Sequence, residues 1–129
     1  MNRQLRRLRR RAIALALLAS CSGGATAPVG GTLRLEFSSP NGDDGAVLFT
    51  ITGGRVESID GSDHSVFSAR PHPSTLRVIL TGTLSSGTIA LIRIPDRDQA
   101  SHYSVTLDEV ASSDHLQRDL AGYTIRLAE

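Results

Sequence analysis

The chain has no tryptophan and no lysine, one cysteine, and among its 129 residues only two tyrosines and three phenylalanines. A single cysteine excludes a disulfide within the chain, so stability has to come from burial alone. All fourteen basic residues are arginine, which reads as the codon bias of a GC-rich genome more than as chemistry. No apolar run is long either. The longest uninterrupted one in the first part of the chain, Ala12 to Ala19, has eight residues, far short of the roughly 20 that a membrane-spanning helix needs.

What is present is uneven. Six arginines (Arg3, Arg6, Arg7, Arg9, Arg10, Arg11) stand before that apolar run, and Ser20 and the lone Cys21 follow it. A basic segment, an apolar core and small residues at a cleavage point form the pattern of a secretory signal, with the arginines held on the cytoplasmic side. Arg6-Arg7 also allows a twin-arginine route. An arginine-rich helix that binds nucleic acid would need polar residues within the helical repeat and contacts from a folded domain; residues 12 to 19 are uniformly apolar instead.

Leu18-Ala19-Ser20-Cys21 resembles the lipobox of bacterial lipoprotein precursors, an aliphatic residue and two small ones before a cysteine. The resemblance implies that Cys21 receives a diacylglyceryl group and becomes the first residue of the mature chain. Residues 1–20 are then the signal peptide, and residues 21–31, small and uncharged, a flexible tether. Residues 32–129 remain as one domain, a length that folds independently. Ser22, where an aspartate would favour retention at the inner membrane, favours the outer membrane if the cell has one.

With the leader removed, eight arginines face thirteen acids, and the mature charge is −5. Such a domain has little electrostatic reason to bind phosphate backbones, so no nucleic-acid partner is expected. The expected partners are the membrane, through lipid on Cys21, and an envelope protein or polymer met by edge strands or acidic loops. No cofactor is expected.

From Thr32 the apolar residues recur every second position. Leu33, Leu35 and Phe37 alternate with polar residues, as do Tyr103, Val105 and Leu107 and then Tyr123, Ile125 and Leu127, while Leu76, Val78 and Leu80 share one face with Arg77 outward. This is the mark of strands with one buried face. Gly45 to Thr52 is apolar on both faces, as a central strand is, and Gly87 to Ile94 is another nearly continuous apolar run. Arg55 to Ile59 offers a short strand; Ser65 to Ala69 offers another, ended by Pro71 and Pro73. Leu116 and Leu120 allow one helical turn within Ser113 to Leu120, too short and polar to count on. About eight strands separated by turn signals predict an all-β antiparallel β-sandwich of Greek-key or jelly-roll type.

Asp119-Leu-Ala-Gly-Tyr123 resembles the tyrosine corner of Greek-key sandwiches, in which the phenol bonds back to upstream backbone; a tyrosine half-buried in the last strand is the other reading. Over most of residues 32–129 the body resembles the cohesin-like sandwiches of bacterial surface proteins. Gly45 to Thr52 leading into Arg55 to Ile59, Leu76 to Gly82, and Tyr103 to Asp114 carry that resemblance. It implies a cohesin-like fold and a non-catalytic binding role.

Candidate chemistry is sparse. Asp43 and Asp44 in the Asn41-Gly-Asp-Asp turn, with Asp60 and Asp63, are the candidates for calcium, which requires six to eight converging oxygens; turn chemistry explains the same residues. His64, His72, His102 and His115 lack the paired spacing of a zinc site and read as solvated surface residues. Catalytic triads are defined by geometry, and no Gly-x-Ser-x-Gly elbow occurs. With Phe37, Phe49, Phe67, Tyr103 and Tyr123 mostly assigned to core faces, a stacking sugar site is disfavoured, leaving glycan binding to hydrogen-bonding loops. The expected role is therefore a lipid-anchored structural or protein-interaction module, with a calcium- or glycan-binding surface module as the alternative.

Overall fold

The computed structural model describes residues 23–24 and 26–129; Cys21 and the leader lie outside the described residues. Eight strands form two four-stranded sheets. These are β1 Gly31–Ser38, β2 Asp44–Thr52, β3 Ser58–Asp60, β4 Ser65–His72, β5 Thr75–Leu84, β6 Gly87–Ile94, β7 Ser104–Ser112 and β8 Thr124–Ala128. One sheet, called the charged sheet below, has the order β3-β6-β1-β8; the other, the apolar sheet, has the order β4-β5-β2-β7. Every pairing is antiparallel. Only β4 and β5 are consecutive strands in the same sheet. Each other step along the chain crosses the core, the winding of a double-sheet jelly roll.

The alternation in the sequence accounts for the core. Leu33, Leu35 and Phe37 of β1 face Val47, Phe49 and Ile51 of β2 in one buried cluster, joined by Leu76, Val78 and Leu80 of β5 and by Ile89, Ala90, Ile92 and Ile94 of β6. Each large apolar side chain so removed from water contributes roughly 1.5–3 kcal/mol. β2 is central, paired with β5 on one side and β7 on the other. Its Ala46, Leu48 and Thr50 face outward and stay half-buried, so the second face of this strand is covered only in part.

Two expectations are corrected, and a segment not counted on as helix is found to have none. Pro71 does not end β4, which runs on to His72 with an irregularity between Ala69 and His72. β4 is an edge strand, where a missing N–H costs no ladder bond. Phe67 is not in the core; its ring is 60% exposed on the outer face. Ser113 to Leu120 forms no helix. Ser112 N–H donates to Leu116 O at 2.8 Å, Arg118 N–H donates to Val110 O at 2.8 Å, and Gln117 bridges Ala111. The segment folds back along the end of β7.

The Gly53-Gly54 pair has a geometric cause. Gly53 adopts φ +103°, open to glycine at little cost, and a Cβ there would lie 1.9 Å from His102 O. At Gly54 a Cβ would meet the Tyr103 ring at 2.6 Å. Both glycines let the β2–β3 connection pass tightly over the start of β7. There Tyr103 donates its phenol proton to Arg55 O at 2.6 Å. Burial, then the negative charges of Asp96 and Glu57, push the Tyr103 pKa above its ordinary value. The hydrogen bond from its hydroxyl to the Arg55 carbonyl therefore persists into alkaline solution.

Candidate functional site

Around Asp44 the structure builds a polar network at one end of the sandwich. Asp44 begins β2 and is 1% exposed. One carboxylate oxygen accepts from the Tyr123 hydroxyl at 2.8 Å, and the other accepts from the Ser39 hydroxyl at 2.5 Å. Asn41 donates its side-chain amide to the same Tyr123 oxygen at 2.8 Å. Arg118, carried by the segment that returns along β7, pairs with Asp43. Its Nε lies 3.3 Å from Asp44 Oδ1, close enough for attraction but not aligned as a hydrogen bond.

Tyr123 is thus a buried clasp, and its target differs from that of a tyrosine corner. The phenol bonds the Asp44 carboxylate, 79 residues upstream, instead of nearby backbone. Ring stacking on Phe37, with centroids 5.9 Å apart, fixes its direction. The network consumes the acidic turn. Asp44 is shared among a tyrosine, a serine and an arginine, and Asp43, exposed, is paired through one oxygen with Arg118.

The other candidates are dispersed. Asp60 Oδ1 accepts from Ser62 N–H at 2.9 Å, a turn cap, and Asp63 is exposed on the same turn. Among the described residues no group of three or more histidines, cysteines or acids gathers as a metal site. His64 is not a free surface histidine. Its Nδ1 lies 2.9 Å from Gly61 O and its Nε2 3.0 Å from Thr83 O, which buckles the 61–64 turn to β5. His102 and His115 are exposed and apart.

His72 lies 3.0 Å from the Ser74 hydroxyl, the one histidine–serine side-chain hydrogen bond among the described residues. Its Nδ1 also accepts from the Ser74 backbone N–H at 3.3 Å. A ring held by both groups of a residue two positions on clasps the β4–β5 turn. No carboxylate orients it as the base of a triad requires.

Two surface features were not expected from the sequence. The first is a row across the outer face of the apolar sheet. Phe67, Ile79, Leu48 and Glu109 are register partners across β4, β5, β2 and β7, with Phe67 60% and Ile79 39% exposed. Shallow hollows of about 280 and 350 Å³ flank it and share Leu48 and Ile79. The charged sheet presents a different face. There Arg34 and Arg126 both lie against Glu36, and Thr32 pairs with Arg93.

The second is a hollow of about 490 Å³ on the β3–β4 side, lined by Arg55, Val56, Glu57, Arg70, Pro71, His72 and Pro73. Arg70 reaches across the open edge between the sheets and donates to Val56 O at 2.8 Å.

Fold and surface together define a two-sheet β-sandwich with an exposed apolar row on one outer face, ion pairs around Glu36 on the other, and a polar network buried at one end. Comparison with family models, curated proteins and solved structures finds no match.

Proposed function

We propose that the chain is an exported, lipid-anchored β-sandwich of the bacterial envelope that acts as a non-catalytic protein-interaction module. Cys21 carries the anchor in this reading, with the outer membrane as the favoured location, and the cohesin-like pattern of the body is consistent with a binding role. The observation that carries the interaction role is the outer row Phe67–Ile79–Leu48. Exposed phenylalanine and isoleucine side by side on a sheet face lose water-contacting area when a partner covers them, and aromatic residues are enriched at such contacts. The opposite sheet carries the Glu36 ion pairs with Arg34 and Arg126, which favours the apolar row, running from edge strand β4 to β2, as the contact over the acidic loops. The acidic loop has its carboxylates taken up by Tyr123, Ser39 and Arg118.

The glycan alternative rests on hydrogen-bonding loops, and the row itself would offer a sugar only Phe67 as a stacking ring. Its register neighbours Ile79 and Leu48 offer no hydrogen bonds to sugar hydroxyls, so a protein surface fits the row better. Photo-crosslinking in intact cells tests this. A crosslinker at position 67 is expected to yield a discrete adduct with an envelope protein, whereas one at position 126 on the charged sheet yields none. Equal adducts from both positions, or none from 67, would contradict the assignment.

A further inference from the structure

Eight arginines lie among the described residues. Four of them, Arg34, Arg97, Arg118 and Arg126, have a carboxylate within 4.0 Å. Arg55, Arg70, Arg77 and Arg93 make no such pair within the described residues. Two of these four, Arg55 and Arg70, line the same 490 Å³ hollow, a volume within the roughly 300–1,000 Å³ of small-molecule sites. Two unpaired guanidinium groups against the single carboxylate of Glu57 leave the rim of this open hollow with a net positive charge.

The hollow is also pre-organised. Arg70 spends one N–H on Val56 O at 2.8 Å and another on Pro73 O at 3.4 Å. A guanidinium has five N–H donors, so three remain, on a fork already fixed in place. His72 is oriented by the Ser74 backbone N–H that donates to its Nδ1. In the neutral ring the hydrogen therefore sits on Nε2, leaving a third donor group at the hollow. The Arg55 backbone is anchored by the Tyr103 hydroxyl. Pro71 and Pro73 restrict the chain on either side of His72. Arg70 and His72 are each held by neighbouring backbone, which lowers the ordering cost of binding, whereas the exposed Arg55 side chain has no such contact among the described residues.

We infer that this hollow binds an oxyanion, a phosphate monoester or diester, through Arg55, Arg70 and His72. The guanidinium fork matches phosphate oxygens two at a time. Glu57, on the same rim, disfavours a second phosphate on the ligand and favours a neighbouring group that donates hydrogen bonds, such as a hydroxyl or an amine. The position suggests where such a ligand comes from. Glu57 N–H donates to Arg93 O of β6, and Ile94 of β6 pairs with Gly31, where β1 begins. The Glu57 side of the hollow thus lies at the end of the sandwich where the chain enters, about two strand spacings, or roughly 10 Å, from Gly31. From Cys21 to Gly31 is ten residues, a reach of at most about 35 Å. A lipid headgroup is one source of the phosphate and a soluble phosphate ester the other; only the lipid source rests on the anchored reading above.

Inorganic phosphate titrated into the full-length chain, followed by residue-resolved NMR, tests the site. The readout separates the hollow from the leader arginines, which attract phosphate too. The amides of residues 55–57 and 70–74 and the Nε signals of Arg55 and Arg70 are expected to shift saturably. Arg55→Ser with Arg70→Gln weakens that response roughly tenfold or more, whereas Arg77→Gln, outside the hollow, leaves it unchanged. Arg55→Ser alone preserves the Arg70 clasp, and a severalfold weakening there serves if the double variant folds poorly. Unmoved signals, or a response that survives the Arg55 substitution at full strength, would overturn the assignment. Short-chain phosphatidylglycerol below its micelle concentration, run against glycerol phosphate, then separates the sources. Tighter binding of the lipid assigns a headgroup, and equal binding assigns a soluble ester.

Discussion

Phe49→Ala is expected to lower the unfolding free energy by about 3–5 kcal/mol. Phe49 is 0% exposed and lies on β2, the strand with partners on both sides. Its register neighbours are Val78 on β5 and Leu107 on β7, so flanking side chains are held by two ladders and cannot collapse into the space left by the ring. A domain of this size is typically stable by only about 5–15 kcal/mol, and the loss takes much of that. Urea unfolding measures it as a lower midpoint at unchanged slope. Phe67→Ala is the internal control, since the same chemical change at a ring 60% exposed is expected to stay within about 0.5 kcal/mol. Equal effects at the two positions would contradict the assignment of inner and outer faces.

Asp44→Ala is expected to cost about 3 kcal/mol, the low end of the range for breaking a buried charged contact. The carboxylate is the shared acceptor of Tyr123 and Ser39 and lies beside Arg118. Its loss strands a buried phenol and removes one of the two charges facing the guanidinium. Asp43 still pairs with Arg118, which is why the low end applies. Removing Arg118 as well relieves part of the penalty, so the Asp44→Ala/Arg118→Leu double variant is expected to be more stable than the sum of the single losses. Strict additivity in chemical denaturation would show that the two residues do not act as a unit.

Much of the fold was legible because each sheet has one face in the core, and burial on one face writes a period of two into the sequence. Gly87 to Ile94 is a strand over the residues expected, and Leu33, Leu35 and Phe37 face inward as their spacing implies. Edges were less legible. β4 has neighbours on one side only, so Phe67 is free to point outward and Pro71 is tolerated where a central strand would exclude it. β7 carries an extra residue near Asp108, opposite the Leu48/Phe49 irregularity, which breaks the alternation beyond Leu107 and returns Val110 to the core.

The polar sites were the least legible. Tyr123 and Asp44 are 79 residues apart, and nothing in local periodicity announces that a phenol in one loop completes a carboxylate in another. Arg55, in the β2–β3 connection, and Arg70, on β4, are 15 residues apart in sequence, and only the edge between the sheets brings them to one hollow. The run Arg70-Pro-His-Pro73 was the available signal, cationic and aromatic-nitrogen donors stiffened by two prolines.

The measurement that tests the account most directly is the intact mass of the protein expressed in a bacterial host, wild type against Cys21→Ser. The account predicts a wild-type species that begins at Cys21 with added acyl mass, and a Cys21→Ser protein without acyl mass that mild washing releases from membranes. A wild-type chain without acyl mass, cleaved elsewhere or not at all, would contradict the anchored reading and leave only the sandwich and its surfaces.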